Sequence, residues 1–442
     1  MEFYGKRTPW SIIDEEERSL QSPTRLSFKT NQQVFECDPQ LSPTRLSSES
    51  IISLLPSFPS SPWTLSPLHP PPTPSLLYQC LTSLHRHDGN IFSIAISKGL
   101  VFTGSESNCV RIWKQSECIE RDRIKTNSSH IRAILAYNNT IFTAHKDRRI
   151  RVWTISISPN HFRSKKIATL PRSKSFLSFP RVQSQQHKNI ISCLAYYHAE
   201  GILYTGSWDK TVKTWSLSNK KCVDSFVAHD DCVNAIVVNQ IDGCMFTSSS
   251  DGSIKIWRRV YGESSHTLTM TLGFQTSPVN ALAMSNSQNS SFLYSGSSDG
   301  LVNYWEKEAM SGRYKHRGFL QGHRFAVLCL VSIERLVFSG SEDTTIRVWR
   351  REEGSGFHTC LTVIEGHRGP VKCMAACIEM EKMVMGFLVY SASLDRTVKV
   401  WRIKVFVGEK RVVVGEGEKK MEHEISPVLS PSWVKKKLQG FH

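Results

Sequence analysis

Seven tryptophans set the register of the middle of this chain: Trp113, Trp153, Trp215, Trp257, Trp305, Trp349 and Trp401. Eleven residues before each sits an aromatic, namely Phe102, Phe142, Tyr204, Phe246, Tyr294, Phe338 and Tyr390. Ten before is always Thr or Ser, from Thr103 and Thr143 through Ser391. Further upstream runs a column of small residues, Ser93, Ala133, Cys193, Ala235, Ala281, Cys329 and Cys373. Columns kept in step this way mark an internal repeat, with neighbouring tryptophans 40 to 62 residues apart. Each unit reads as short strands of period two, rich in Val, Ile, Phe and Tyr and separated by turn residues. In GILYTGSWDKTVKTW, 201–215, one strand enters a tight turn at Trp208–Lys210 and returns as a second. Asp209 falls six residues before Trp215, where its carboxylate can accept hydrogen bonds from the turn. One such unit cannot cover both faces of its sheet, but seven arranged radially can.

The repeat occupies 76–401 of the 442 residues. Residues 1–75 are rich in Ser and Pro, repeat the hexamer SPTRLS at 22–27 and 42–47, and lack a periodic apolar pattern; a disordered tail is expected there. A flexible tail is likewise expected at 402–442. The N-terminal segment carries six basic and eight acidic residues, so it is no basic nucleic-acid arm, although the whole chain is +16. The opening MEFYGKRTPWSIIDEEERS lacks the apolar centre of a secretory leader, and no apolar run approaches the length of a membrane span. The twelve cysteines are scattered, without a CxxC pair, and no metal or cofactor site is expected. The reading is a protein of a reducing compartment, cytoplasm or nucleus.

These units resemble WD40 repeats, and together they resemble a seven-bladed β-propeller: an all-β fold, here with two tails. The resemblance implies a structural tetrad in each unit, made by a His before the first strand, a Ser or Thr in the second, the turn Asp and the Trp. Four units match: His187, Ser207, Asp209, Trp215; His229, Ser249, Asp251, Trp257; His323, Ser341, Asp343, Trp349; and His367, Ser393, Asp395, Trp401. Three depart from the pattern. The first has His87, Ser105 and Trp113 but Ser107 for Asp; the second keeps Asp147 with Asn127 and His145 for His and Ser; the fifth has Gln275 for His beside Asp299. These blades are expected to be less rigid. The recurrence of a His, a Ser and an Asp in four blades argues against a hydrolytic triad, so no catalytic residue is assigned and no enzyme activity is expected. The resemblance also explains why CLTSLHRHDG, 80–89, returns as CLTVIEGHRG, 360–369: each is the outer strand of a preceding blade, and the first copy closes the ring.

Binding in such propellers often uses the channel mouth. Two columns point there: Glu106, Lys146, Trp208, Ser250, Ser298, Glu342 and Leu394, one residue before each turn Asp position, and Asn90, His130, Ile190, Cys232, Pro278, Ala326 and Pro370, one before each first-strand apolar residue. Trp208 is the strongest anchor candidate, with Lys146, Arg148 and His130 making one sector basic and Glu106 and Glu342 adding acids. The stretch 154–186 reads as a basic insertion, with Arg163, Lys165, Lys166, Arg172, Lys174 and Arg181 and no acid; it is either an anion-binding loop or a solvated one. Arg or Lys two residues before six of the tryptophans is expected to pack its stem and leave its head in water. The Ser/Pro tail offers SP or TP phosphorylation sites at Thr8, Ser22, Ser42, Ser61, Ser66 and Thr73.

The expected function is a non-enzymatic interaction scaffold, a monomeric propeller working through protein partners. The leader, the HDGNIFSIAIS…LVFTGSES first unit and the long second gap resemble the plant Jingubang-type WD40 proteins. That resemblance implies a growth or developmental regulator acting through partners such as transcription factors. The alternatives are a substrate-recruiting subunit of a cullin ubiquitin ligase, or a binder of RNA or anionic lipid through the basic stretch and rim.

Overall fold

A computed structural model describes residues 76–405, apart from 86–88, 116–118, 127–129, 159–161, 173–184, 261, 274–275, 288–289, 353–355 and 382–383. Both expected tails apart from 402–405, and His87, Asn127, Gln275, Lys174 and Arg181, lie outside the described residues. The described chain is entirely strand and turn, folded into seven four-stranded antiparallel sheets. No helix among these residues is long and apolar enough to cross a membrane.

Blade 1 spans 91–125, blade 2 131–170, blade 3 191–227, blade 4 233–272, blade 5 279–320, blade 6 327–364 and blade 7 371–405. The innermost strands are Ile91–Ser97, Ile131–Tyr137, Ile191–Tyr197, Val233–Val238, Val279–Asn286, Val327–Ile333 and Val371–Glu381. Each contacts the next, and the last contacts the first, so seven inner strands enclose a channel. Leu76–His85 pairs with Thr397–Val405 as the outer strand of blade 7, opposing Cys80 to Trp401 just as Cys360 opposes Trp349. The two near-copies therefore hold equivalent positions, as the repeat anticipates. The last strand continues to Val405, four residues past the expected propeller boundary.

Strand period and burial agree. The aromatic column is wholly internal, with Phe102, Phe142, Phe246 and Phe338 fully buried between blades. Where that column holds Tyr, the hydroxyl reaches the following blade. Tyr204 bonds His266 of blade 4 at 3.2 Å, Tyr294 bonds His358 of blade 6 at 2.9 Å, and Tyr390 donates to the Gln115 carbonyl of blade 1 at 3.1 Å. The second-strand glycines permit close blade contact: a Cβ on Gly206 would lie 2.6 Å from Cys193 Sγ and 2.7 Å from Val233.

Every inner strand carries a bulge at its second residue, as the register skips Phe92, Arg132, Ser192, Asn234, Asn280, Leu328 and Lys372. In blades 3 to 5 that residue is stitched to the next inner strand: Ser192 Oγ donates to the Val233 carbonyl, Asn234 Nδ2 to Val279 at 3.0 Å and Asn280 Nδ2 to Val327 at 3.1 Å. In blades 1, 6 and 7 the following small residue takes over. Ser93, Cys329 and Cys373 reach the carbonyls of Ile134, Val371 and Ile91. Burial pushes the Cys329 thiol up to about 12, so it stays a neutral, weak donor.

Two expectations need correction. The stretch 154–186 is not a loop insertion for most of its described length: Ile150–Ile157 is the third strand of blade 2 and Phe162–Leu170 its outer strand. Residues 173–184 of this stretch lie outside the described residues. The heads of the basic side chains before the tryptophans are not left to water alone either, since they find polar partners in the protein. Lys213 reaches Ser225 Oγ at 2.6 Å, Lys255 the Ala228 carbonyl at 2.9 Å, Lys399 Ser83 Oγ at 2.7 Å, and Arg111 clamps Glu120.

Candidate functional site

The tetrads set the positions of the turns at one end of the channel, but not through all the residues expected. In blade 3 the Trp215 indole N–H donates to Thr205 Oγ1 at 3.0 Å, and that hydroxyl meets His187 Nε2 at 2.8 Å. His187 Nδ1 then faces Asp209 at 3.0 Å. Asp209 also accepts from Lys188 N, Thr211 N and Thr211 Oγ1. The hydroxyl of the tetrad is thus Thr205, not Ser207. Blades 4, 6 and 7 repeat this with Thr247, Ser339 and Ser391 in place of the expected Ser249, Ser341 and Ser393. The residues two places on instead accept the N–H of the turn Asp: Ser207 from Asp209, Ser249 from Asp251, Ser341 from Asp343 and Ser393 from Asp395. Burial alone would raise these four carboxyls. The paired imidazoles, with hydroxyl and N–H donors, outweigh it and hold them well below the ordinary carboxylate range. Burial, against the pull of Asp209, keeps His187 below its usual value and neutral.

The irregular blades are rewired rather than simply broken. In blade 2, His145 sits at the Ser207-equivalent position and turns its own Nε2 onto Thr143 at 2.8 Å, beside the Trp153 indole at 3.0 Å. An imidazole therefore completes the centre from within the second strand. Burial, helped by Arg151, pushes His145 down to about 3, so it is neutral. Asp147 turns instead to Arg151, at 2.6 Å. In blade 1 the Ser107 hydroxyl substitutes for the turn carboxylate, bonding Ser105 Oγ and the Cys109 carbonyl. In blade 5 the Ser295 hydroxyl is buried without a hydrogen-bond partner among the described residues, while Asp299 still caps Leu301 N.

The two expected rim columns meet pairwise around the ring. Glu106 N donates to the Asn90 carbonyl, Lys146 to His130, Trp208 to Ile190, Ser250 to Cys232, Ser298 to Pro278, Glu342 to Ala326 and Leu394 to Pro370, all at 2.9–3.1 Å. Backbone bonds fix every pair, while the side chains differ from blade to blade. Trp208 is half-buried, Lys146 and Arg148 are exposed, and His130, Glu106 and Glu342 are half-buried. Arg148 crosses to the Lys188 carbonyl at 3.1 Å, tying the blade 2 rim to blade 3. Glu106 is bound by Asn90 through N and Nδ2.

Arg163, Lys165 and Lys166 are not with this group. They stand exposed on the outer strand of blade 2, opposite Ser156, Thr154 and Trp153, with exposed Arg172 just beyond. Alternation sends Lys165 and Lys166 to opposite faces. Lysines on an outer edge also discourage strand addition, which explains them without a ligand.

Sequence reasoning missed the bulge residues just inside the rim. Arg132 and Lys372 are 7% and 5% exposed, and the Arg132 guanidinium lies over the Phe92 ring, 4.5 Å from its centroid. The signal was present, since each follows directly the first apolar residue of its unit, but a bulge leaves no mark on strand periodicity. Among the described residues no group of His, Cys, Asp and Glu is arranged to hold a metal ion.

Comparison with known proteins bears on this arrangement. The family model described as "WD domain, G-beta repeat" matches 78–114, 180–216, 220–258, 265–306, 314–350 and 358–402, together more than half of the chain. The unit completed by His145 is not among those segments. The chain is similar to the nuclear distribution protein PAC1 of Komagataella phaffii, 26% identical over 195 residues, 40% of this chain and 36% of that protein. It is similar to a ribosome biogenesis protein WDR12 homolog of Nematostella vectensis, 24% identical over 291 residues, 58% of this chain and 62% of that protein. An uncharacterized WD repeat-containing protein of Schizosaccharomyces pombe, C126.01c, is 26% identical over 129 residues, 29% of this chain and 34% of that protein. The chain thus spans about a third of the first and third of these relatives and under two thirds of the second.

Proposed function

The chain belongs to the WD40-repeat family, and on that premise we propose that it is an interaction scaffold whose partners bind across the channel mouth. WD-repeat proteins serve in general as platforms for protein assembly. The observation that carries the reading here is the contrast between two sets of equivalent positions. Tetrad hydroxyls, indoles and small residues repeat from blade to blade because the fold needs them. The rim pairs keep one backbone geometry yet hold Glu, Lys, Trp, Ser and Leu in turn. Positions released from the repeat are where specificity can be written. Trp208 supplies a half-buried aromatic anchor, and Lys146 with Arg148 supplies charge beside it.

The finer reading, a plant growth or developmental regulator acting in cytoplasm or nucleus through partners such as transcription factors, is supported by the resemblance of the leader, first unit and second gap. The relatives named above are fungal and animal. The test is affinity capture from native extract, with and without nuclease, comparing the wild type with Trp208→Ala/Lys146→Glu. Proteins retained after nuclease and lost in the rim variant support the scaffold. A retained set that vanishes with nuclease overturns it in favour of nucleic acid.

A further inference from the structure

One basic residue of the third-strand column is set apart. Arg111 clamps Glu120, Arg151 clamps Asp147, Lys213 and Lys399 reach the hydroxyls of Ser225 and Ser83, and Lys255 reaches the Ala228 carbonyl. Arg347 of blade 6 finds no oxygen acceptor among the described residues; its partner is Cys360 Sγ, 4.0 Å from Nη1. Register explains the difference. Lys213 and Lys399 stand opposite Ser225 and Ser83 on their outer strands, whereas Arg347 stands opposite Val363, whose side chain has no acceptor. The turn carboxylate that serves Arg151 in blade 2 is taken here. Asp343 Oδ2 faces His323 Nδ1 at 2.9 Å and accepts from Arg324 N at 3.0 Å, while Oδ1 accepts from Thr345 N and Oγ1. The Nε N–H of Arg347 is buried without an acceptor, a desolvation cost that the frame does not require, since blade 5 places Asn303 at this position.

This arginine borders a cavity of about 520 Å³. Val363 lines it beside Arg347, Thr344 and Thr345 line it from the turn that follows the rim residue Glu342, and Arg324 and Glu365 stand at its exposed edges. Gly322 packs over the guanidinium: a Cβ there would lie 2.6 Å from Nη1 and 2.8 Å from Cζ, so a larger residue would push the fork aside. With Nε buried, the donors that Arg347 offers a ligand are on its two Nη groups, whose parallel geometry suits a carboxylate. Arg324 commits its backbone N–H to Asp343, and among the described residues its guanidinium makes no ion pair. Val363 gives the aliphatic stem of an acidic side chain an apolar surface. Two acids, Asp343 and Glu365, border the same space, and their charge disfavours a dianion such as a phosphate ester relative to a carboxylate.

We propose that this cavity on blade 6 is a receptor for one carboxylate, the side chain of a Glu or Asp on an extended segment of a partner protein that crosses from the rim onto the outer part of the blade. The Nη groups of Arg347 take the two oxygens, Arg324 closes over them from the edge, and Val363 packs against the stem. The peptide as carrier rests on the scaffold reading above; the carboxylate site does not.

The experiment follows the Val363 methyl signals and the Thr344 and Thr345 amide signals of the full-length protein by NMR while capped Gly-Glu-Gly, capped Gly-Gln-Gly or inorganic phosphate is added. Gly-Glu-Gly moves these signals saturably, Gly-Gln-Gly does not, and phosphate requires higher concentrations than Gly-Glu-Gly. Arg347→Gln removes the fork and weakens binding about tenfold or more. Glu365→Gln removes a competing negative charge and strengthens it. The double variant Lys165→Gln/Lys166→Gln on the outer strand of blade 2 leaves it unchanged. Melting curves show whether each variant folds; where Arg347→Gln does not, Arg347→Lys takes its place and, keeping the charge without the fork, still weakens binding. The proposal is overturned if Gly-Glu-Gly gives no saturable shift, if Gly-Gln-Gly shifts the same signals equally, or if phosphate saturates them at an equal or lower concentration. It is overturned as well if the folded Arg347 variant binds as the wild type does, or if Glu365→Gln weakens binding. Carboxylate binding by a chain that captures no protein from extract counts against the scaffold alone.

Discussion

Thr205→Val is the most informative single substitution in the frame of this propeller. Valine keeps the shape of threonine but removes Oγ1, which accepts the Trp215 indole N–H at 3.0 Å and faces His187 Nε2 at 2.8 Å. All three residues are buried, with Thr205 and Trp215 at 0% exposure, so water cannot replace what is lost. Each stranded polar group costs about 1–3 kcal/mol, and two of them about 2–6 kcal/mol. Thr205→Ser is the control. It keeps the hydroxyl, as Ser339 and Ser391 do naturally, and loses one methyl group, about 1 kcal/mol. Urea unfolding followed by tryptophan fluorescence reads both. A Thr205→Val protein within about 0.5 kcal/mol of wild type would refute the assignment of the tetrad hydroxyl to this position.

Asp209→Ala removes the acceptor of four hydrogen bonds around a buried histidine, whereas Asp147 faces only Arg151 and its own turn; unfolding free energies should fall further for Asp209→Ala, and equal losses would contradict the rewired blade 2. Because Asp209, Asp251, Asp343 and Asp395 have carboxyls lowered in the folded state, their stabilisation is complete above the unfolded carboxylate value of about 4 and is lost as pH falls below it. Stability measured from about pH 6 down to about pH 3 should therefore drop steeply, and less steeply in Asp209→Asn; a flat profile would contradict this. Gly206→Ala places a Cβ 2.6 Å from Cys193 Sγ and should cost about 1–3 kcal/mol in the same urea assay, with no loss indicating that blades 3 and 4 can part.

The ring was legible in the sequence because a propeller repeats its constraints. Trp on the third strand of each blade, Thr or Ser ten residues earlier and a spare outer strand at 76–85 together dictate closure. The tetrad hydroxyl was not legible. Thr205 and Ser207 lie two residues apart on one strand, so both face the same way and either could meet the indole. The same ambiguity hid His145, which fills the second of those positions and directs its ring onto the first. The outer strand 162–170 was read as a loop because its exposed Arg163, Lys165 and Lys166 mask the alternation that pairing imposes. Buried Arg132 and Lys372 were missed because they stand on bulges, where strand period no longer tells inside from outside. The rim columns were read from their spacing to the tryptophans as lying at the channel mouth, but their backbone pairing was not legible, since it joins positions about 16 to 24 residues apart.

The central claim is that partners meet this protein across the channel mouth, and site-specific photocrosslinking tests it most directly. The photoreactive residue p-benzoylphenylalanine would be placed at Lys146 on the rim in one protein and at Lys165 on the outer strand in another, and each irradiated in native extract. The account predicts discrete protein adducts from position 146, abolished by Trp208→Ala, and none above background from position 165. Adducts from position 165 alone would contradict it and move the binding surface to the outer edge of blade 2.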